Sequence, residues 1–169
     1  MVLCRFFLYF YNNIYVKHTI MKLEDEIKQS KFKDEYHKLL VNLMFTTSWL
    51  NIRQIHFFKK YDISPQQYNL LRILRGQYPN PASVNLLIER MLDKQSNASR
   101  LVDKLDAKGL VKRKKCKEDK RQVDVVLSTK GVTLLEQIDK DISNLDSIMS
   151  NLSPAEAKKV SDLLDKMRS

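Results

Sequence analysis

Only three glycines occur in the 169 residues, Gly76, Gly109 and Gly131, and they lie far apart. No glycine-rich phosphate cradle can be built from them. Cysteine is as scarce: Cys4 and Cys116 form neither a CxxC pair nor a cluster with histidine. That excludes a zinc site and a disulfide framework as organising features and fits a reducing cytoplasm. The histidines, His18, His37 and His56, have no nucleophile or metal-ligand partner at a useful spacing. Carboxylates are plentiful but interleave with lysine at helical intervals, the pattern of solvated helix faces. The chain therefore reads as a binding protein that needs no cofactor, not as an enzyme.

A long uninterrupted apolar run is also missing. The first twenty residues, MVLCRFFLYFYNNIYVKHTI, hold six Phe or Tyr, but Arg5 breaks the run and Asn12-Asn13 ends it. The stretch is too short to span a bilayer and has no small-residue cleavage site. Residues 1–20 are read as an extension upstream of the domain, with a start assigned too early as the first explanation and a docking segment as the alternative. No membrane partner is expected.

What the chain has in excess is positive charge, +10 in total. Such a surplus favours a polyanionic partner over a neutral one. The length suits one domain with a real core. From Asp34 to about Lys60 two apolar stripes run along one helix, Tyr36, Leu43, Leu50 and Phe57, then Val41, Phe45, Trp49 and Ile52. Burial on more than one face predicts either a subunit interface added to a core or a central core helix. SPQQ at Ser64–Gln67 is a capping box opening a helix that turns Tyr68, Leu71 and Leu74 inward. After the NPAS turn, Ser83 caps a short helix with Val84, Leu87, Ile88 and Met91 on one face. The periodicity breaks at Leu92–Gln95, and a further helix runs to about Lys108 with Ala98, Leu101, Val102 and Leu105 inward. Gly109 stands where a left-handed C-cap is wanted. A long amphipathic helix follows Gly131, through Leu134, Leu135, Ile138, Ile142, Leu145 and Ile148. A capping box at Ser153 starts the last helix, with Val160, Leu163, Leu164 and Met167 on one face.

The segment from about Asp93 leaves Ser96, Asn97, Ser99, Arg100, Asp103 and Lys104 outward. Short polar groups followed by cations suit a helix lying in a major groove: Asn pairs with adenine, Arg with guanine, and Lys104 suits a phosphate. Directly after it, seven of the eleven residues 111–121 are Lys or Arg, and Val123, Val125 and Leu127 alternate behind them. Two strands, Leu110–Cys116 and Arg121–Leu127, joined by Lys117–Lys120, would hold these cations on a stiff ribbon. A two-stranded hairpin needs helical backing to persist in water. The combination is a wing beside a helix-turn-helix.

The stretch SNASRLVDKLDAKGLVKRKKCKEDKRQVDVVLSTKG resembles the MarR family of winged helix-turn-helix transcription regulators. The likeness rests on the recognition-helix pattern, the Gly109-Leu110-Val111 turn, Arg113, the Asp119-x-Arg121 spacing and the Leu-Ser-x-x-Gly step at Leu127–Gly131, and extends from about Asp34 to the C-terminus. The chain departs from the family pattern in a helix-turn-helix without glycine in its turn and in Cys116-Lys117 at a wing position often acidic and followed by proline. The resemblance implies a mainly α fold with a small β-hairpin: a winged helix-turn-helix domain over 63–130 and a helical dimerisation region over 21–62 and 131–169. It implies a homodimer in the cytoplasm that binds pseudo-palindromic double-stranded DNA as a repressor. It also implies release by a small lipophilic or phenolic ligand, for which Phe45, Trp49 and His56 are the candidate lining. Arg113, Lys115, Lys117, Asp119, Lys120 and Arg121 are then the wing residues for DNA, with Asp119 placed to orient the Arg121 guanidinium. Two alternatives stay open: an adaptor of the same fold that uses its cations on a protein or anionic surface, and a redox switch at Cys116, whose thiol lies among lysines.

Overall fold

The computed structural model describes residues 21–115 and 123–169. In chain order the elements are α1 (Leu23–Ile27), α2 (Glu35–Lys59), α3 (Pro65–Gln77), β1 (Ala82–Ser83), α4 (Val84–Arg90), α5 (Ala98–Ala107), β2 (Val111–Lys115), β3 (Val123–Leu127), α6 (Thr129–Asp141), α7 (Ser143–Asp146), a 3-10 turn (Ser147–Met149) and α8 (Pro154–Met167). Two compact units divide at Trp49, within α2. In the first, Asp34 Oδ1 accepts from the His37 backbone N–H at 2.8 Å and so opens α2. Glu24 of α1 pairs with Lys38 of α2 at 2.5 Å.

The core belongs to the second unit. Phe58, Leu70, Leu71, Leu74, Leu87, Val102, Leu105, Val125, Leu135 and Ile138 form one buried cluster. The α3 helix enters it because the Ser64–Gln67 box forms as the sequence predicts. Gln67 N donates to Ser64 Oγ at 3.1 Å and Ser64 N to Gln67 Oε1 at 2.9 Å, with Pro65 in the first turn. The anchor from α2 is Phe58, 2% exposed, not Phe57, which is half-buried. Tyr68 backs Phe58 with ring centroids 4.4 Å apart.

Most of α2 carries no core at all in one chain. Tyr36, Leu39, Leu40, Met44, Ile52 and Ile55 are exposed, as are Val160, Leu163 and Met167 on α8. The single long helix expected after Gly131 stops at Asp141 and gives way to α7 and the 3-10 turn. Leu135 and Ile138 are fully buried, while Ile142 and Leu145 are only partly so.

The sheet has three strands in the order β1-β3-β2, all antiparallel. The strand β1 was absent from the sequence reading, since two residues show no alternation. The register pairs Val111 with Leu127, Arg113 with Val125 and Lys115 with Val123. Val125 and Leu127 are buried as expected, but Val123 is 37% exposed. Leu110, expected to open the first strand, is a buried turn residue ahead of β2, while the expected outer ends at Cys116 and Arg121 lie outside the described residues.

The Gly109 turn closes α5 by two bonds: Leu110 N to Leu105 O at 2.9 Å and Gly109 N to Asp106 O at 2.8 Å. Gly109 has φ +70, which permits this left-handed closure. The Leu127–Gly131 step docks onto that turn. Ser128 caps α6 through Gly131 N at 3.0 Å, and its hydroxyl donates to Gly109 O at 2.7 Å. Ser128 N also donates to Leu110 O at 3.1 Å.

Where α2 ends, Lys60 Nζ and Tyr61 Oη both donate to Asp141 Oδ2, at 2.6 and 2.7 Å. The Lys60 bond, then the Tyr61 bond, hold the Asp141 carboxyl below its ordinary pKa. A lowered folded-state pKa contributes stability that is complete above the unfolded value, about 3.9 for Asp, and is lost as pH falls through the folded one. The Tm gap between the native chain and Asp141→Asn should therefore be constant near neutrality and narrow from about pH 5 to about pH 3. A gap unchanged over that range in thermal melts would mean the charged form is not what the contact stabilises.

Candidate nucleic-acid interface

The helix-turn-helix consists of α4, the segment Met91–Asn97 and α5. Ser83 caps α4 through Leu86 N at 3.2 Å. Leu87 and Met91 face the core, whereas Ile88 is 43% exposed, contrary to the one-faced stripe expected. Without glycine, the turn is built from side-chain bonds. Asp93 Oδ1 accepts from Gln95 N at 3.0 Å and Asp93 Oδ2 from Ser96 Oγ at 2.7 Å. The Ser96 hydroxyl, then the Gln95 N–H, lower the Asp93 pKa. Asn69 of α3 accepts from Leu92 N at 3.0 Å and ties the turn to the core helix. Neither Asn69 nor the role of Asp93 emerged from the sequence. An Asp two residues before a backbone N–H that can donate to it, as Gln95 N does to Asp93 Oδ1, was the available signal for the latter.

The recognition helix begins at Ala98, later than expected, because Asn97 is its N-cap: Asn97 Oδ1 accepts from Arg100 N at 2.9 Å. The oxygen of Asn97, given an adenine-reading role above, is thus engaged with its own helix. Ser96 likewise spends its hydroxyl proton on Asp93. Ala98, Val102 and Leu105 are buried; Ser99, Arg100, Asp103 and Lys104 are exposed. At 100° per residue Arg100 and Lys104 lie together on the side opposite the core, and Ser99, Asp103 and Asp106 flank them.

Arg113 has a different place from the one expected. It stands on the same face of β2 as buried Val111, and its guanidinium pairs with Asp103 and, through Nε at 3.6 Å, with Asp106. There it braces the wing against the recognition helix. It also neutralises two carboxylates that would repel phosphate. Lys112 and Lys114, on the opposite face of β2, are exposed and were missing from the candidate set. Of the other wing candidates, Cys116, Lys117, Asp119, Lys120 and Arg121 lie outside the described residues, and for Lys115 the backbone alone is described.

Arg113→Ala should weaken binding of every duplex sequence, by about tenfold for the charge lost and the acids unmasked. It should cost folding no more than about 1 kcal/mol, since the pairs are half exposed. Adding Asp103→Asn to that variant should recover part of the affinity. Anisotropy titrations settle it: no recovery in the double variant would leave Arg113 as a direct phosphate contact.

Phe45 and Trp49 are half-buried on α2 and His56 is exposed. A cleft of about 680 Å³ lies elsewhere, and none of these three lines it. Among the described residues no group of acidic, histidine or cysteine side chains could hold a metal, and no helix is long and apolar enough to cross a membrane.

Residues 61–122 match the model of the MarR family. The HTH-type transcriptional repressor YetL of Bacillus subtilis is 26% identical over 135 residues, 77% of this chain and 81% of YetL. A MarR variant from E. coli complexed with operator DNA superposes with a TM-score of 0.71 at 24% identity, covering 82% of this chain and 99% of that one. BpsR of Bordetella bronchiseptica, whose DNA binding is regulated by 6-hydroxynicotinic acid, superposes with a TM-score of 0.62 at 22% identity, covering 76% and 99%. With a three-stranded winged helix, a recognition helix capped at Asn97 and these likenesses, the chain is similar to the MarR family of winged helix-turn-helix transcriptional regulators, whose model its residues 61–122 match.

Proposed function

We propose that the chain is a homodimeric repressor that reads pseudo-palindromic DNA through α5 and the wing and is released by a small molecule. The observation that carries this reading is the outward face of α5. Arg100 and Lys104 stand exposed together, while Arg113 cancels the acids beside them. Arg100 reads a base, in keeping with bidentate Arg–guanine pairing, and Lys104 takes a phosphate. Lys112 and Lys114 add phosphate contacts, and Arg121, oriented by Asp119, enters the minor groove. The apolar faces of α2 and α8 support the dimer, because exposed patches of this kind mark association surfaces. The relatives complexed with operator DNA or regulated by a small acid support the DNA and ligand parts.

Arg100→Ala should cost about 1–3 kcal/mol at one base pair and relax specificity there. Lys104→Ala should weaken all duplexes about equally and lower the salt slope by about one. If Arg100→Ala weakens specific and shuffled duplexes by the same factor, Arg100 is not a reading residue.

A further inference from the structure

The turn between α4 and α5 commits most of its side chains to its own structure. Asp93 accepts from Gln95 N and from Ser96 Oγ. Lys94 folds back, and its Nζ donates to the Glu89 carbonyl. Asn97 Oδ1 is engaged with Arg100 N. Two side chains are left over. Leu92 is 87% exposed, and the exposed Gln95 amide has no hydrogen-bond partner among the described residues. Yet both residues are anchored through the backbone. Leu92 N is held by Asn69 Oδ1 at 3.0 Å and Gln95 N by Asp93 Oδ1 at 3.0 Å. A fixed backbone under a free side chain lowers the ordering cost of a contact made there.

The two groups are chemically complementary to one base pair. An amide presents a donor and an acceptor side by side, and in the major groove it pairs bidentately with adenine N6 and N7. The thymine opposite places a methyl group in the same groove, which an apolar side chain covers. In a docked helix-turn-helix the first helix crosses the phosphate backbone, while the N-terminal residues of the second meet base edges. The turn joining them therefore lies at the mouth of the groove. We infer that this turn reads one A·T base pair in each half-site, with Gln95 on adenine N6 and N7 and Leu92 against the thymine 5-methyl group. The inference rests on the reading of the chain as a sequence-reading DNA-binding regulator and adds to it a second reading element and the base pair it selects.

Charge and position favour DNA as the occupant of this surface. Arg90 and Lys94, beside Leu92, are exposed cations, which suit a polyanion better than an apolar protein face. Gln95 precedes α5 by three residues and Arg100 is the third residue of that helix. The A·T pair then lies beside the base read by Arg100, on the side from which α5 enters the groove. Because the turn is held by Asp93 and Asn69, its reading does not depend on Arg100.

The test uses the full chain and anisotropy on a duplex taken from upstream of its own gene, altered one base at a time. Replacing each adenine in turn by 7-deazaadenine removes the N7 acceptor; replacing each thymine by uracil removes the methyl group. One adenine per half-site should weaken the native chain about fivefold when changed, and Gln95→Ala should be indifferent to that change. Uracil in the same pair should weaken the native chain about threefold and leave Leu92→Ala unaffected. Gln95→Glu keeps only acceptors, so its preference at that pair should move from adenine toward cytosine, whose N4 donates. Arg100→Ala should retain the dependence on both analogues. Both turn side chains are exposed, so the variants should keep the native far-UV spectrum and Tm. The inference is overturned if no adenine shows an effect that Gln95→Ala erases, if Gln95→Glu keeps the native preference, or if Leu92→Ala responds to uracil as the native chain does. Equal binding of the natural and shuffled duplexes by the native chain would instead overturn the regulator reading.

Discussion

Gly131→Ala is expected to destabilise the chain by about 3 kcal/mol, a fall of roughly 6–12 °C in Tm. The reason is space. A Cβ at Gly131 would sit 2.2 Å from the Leu110 carbonyl oxygen and 3.0 Å from Leu127 Cδ1. Leu110 cannot retreat, because its own N–H closes α5 on Leu105 and its carbonyl accepts from Ser128 N. Gly109 offers the converse case. A Cβ there meets nothing nearer than Lys130 Cδ at 4.0 Å, but φ is +70. Gly109→Ala should cost only about 1–2 kcal/mol, through backbone strain. Thermal melts of the two variants separate a steric requirement from a conformational one. Equal losses would mean the α5–α6 junction can open to admit a methyl group.

The second large effect concerns assembly. Leu40 on α2 and Leu163 on α8 are 57% and 56% exposed. Leu40→Glu with Leu163→Glu should yield a monomer that keeps the helical spectrum of the winged domain, whose core contains neither residue. Operator affinity should drop by about 10²–10⁴, the gain that joining two half-site readers supplies. Sedimentation and anisotropy on the same samples test both parts. A variant that stays dimeric, or a native chain that sediments as a monomer at micromolar concentration, contradicts the assignment of these faces to a second copy.

Much of this architecture is legible in the sequence where a local rule acts alone. The Ser64 and Ser153 boxes, the Gly109 closure and the α5 stripe each depend on residues a few positions apart, and each forms as expected. The family resemblance is legible for the same reason: its motifs are contiguous. What was hidden depends on partners from other elements. The Gly109-Leu110 turn and the Leu-Ser-x-x-Gly step looked like separate signatures, yet they are two halves of one junction, joined through Ser128 and the bare face of Gly131. The ion pairs of Arg113 were hidden because its two carboxylate partners lie on α5. Phe58 displaces Phe57 as the anchor because the core meets α2 only near its end, where neither stripe governs. The turn without glycine, a departure from the family pattern, is held instead by the bonds of Asp93 and Asn69, which the sequence does not display. The roles given to Cys116, Lys117, Asp119, Lys120 and Arg121 remain those read from the sequence, since these residues lie outside the described ones.

The most direct measurement of the central claim compares two labelled duplexes of equal length. One comes from the region upstream of the chain's own gene; the other is its shuffled counterpart. Both are titrated with the full chain across a series of salt concentrations. The account predicts that the natural duplex binds about 10³-fold or more tightly at physiological salt. Both affinities should fall linearly with log salt as lysine and arginine release counterions. Indistinguishable affinities at every salt concentration would contradict it, leaving a cationic surface of this fold that does not read sequence.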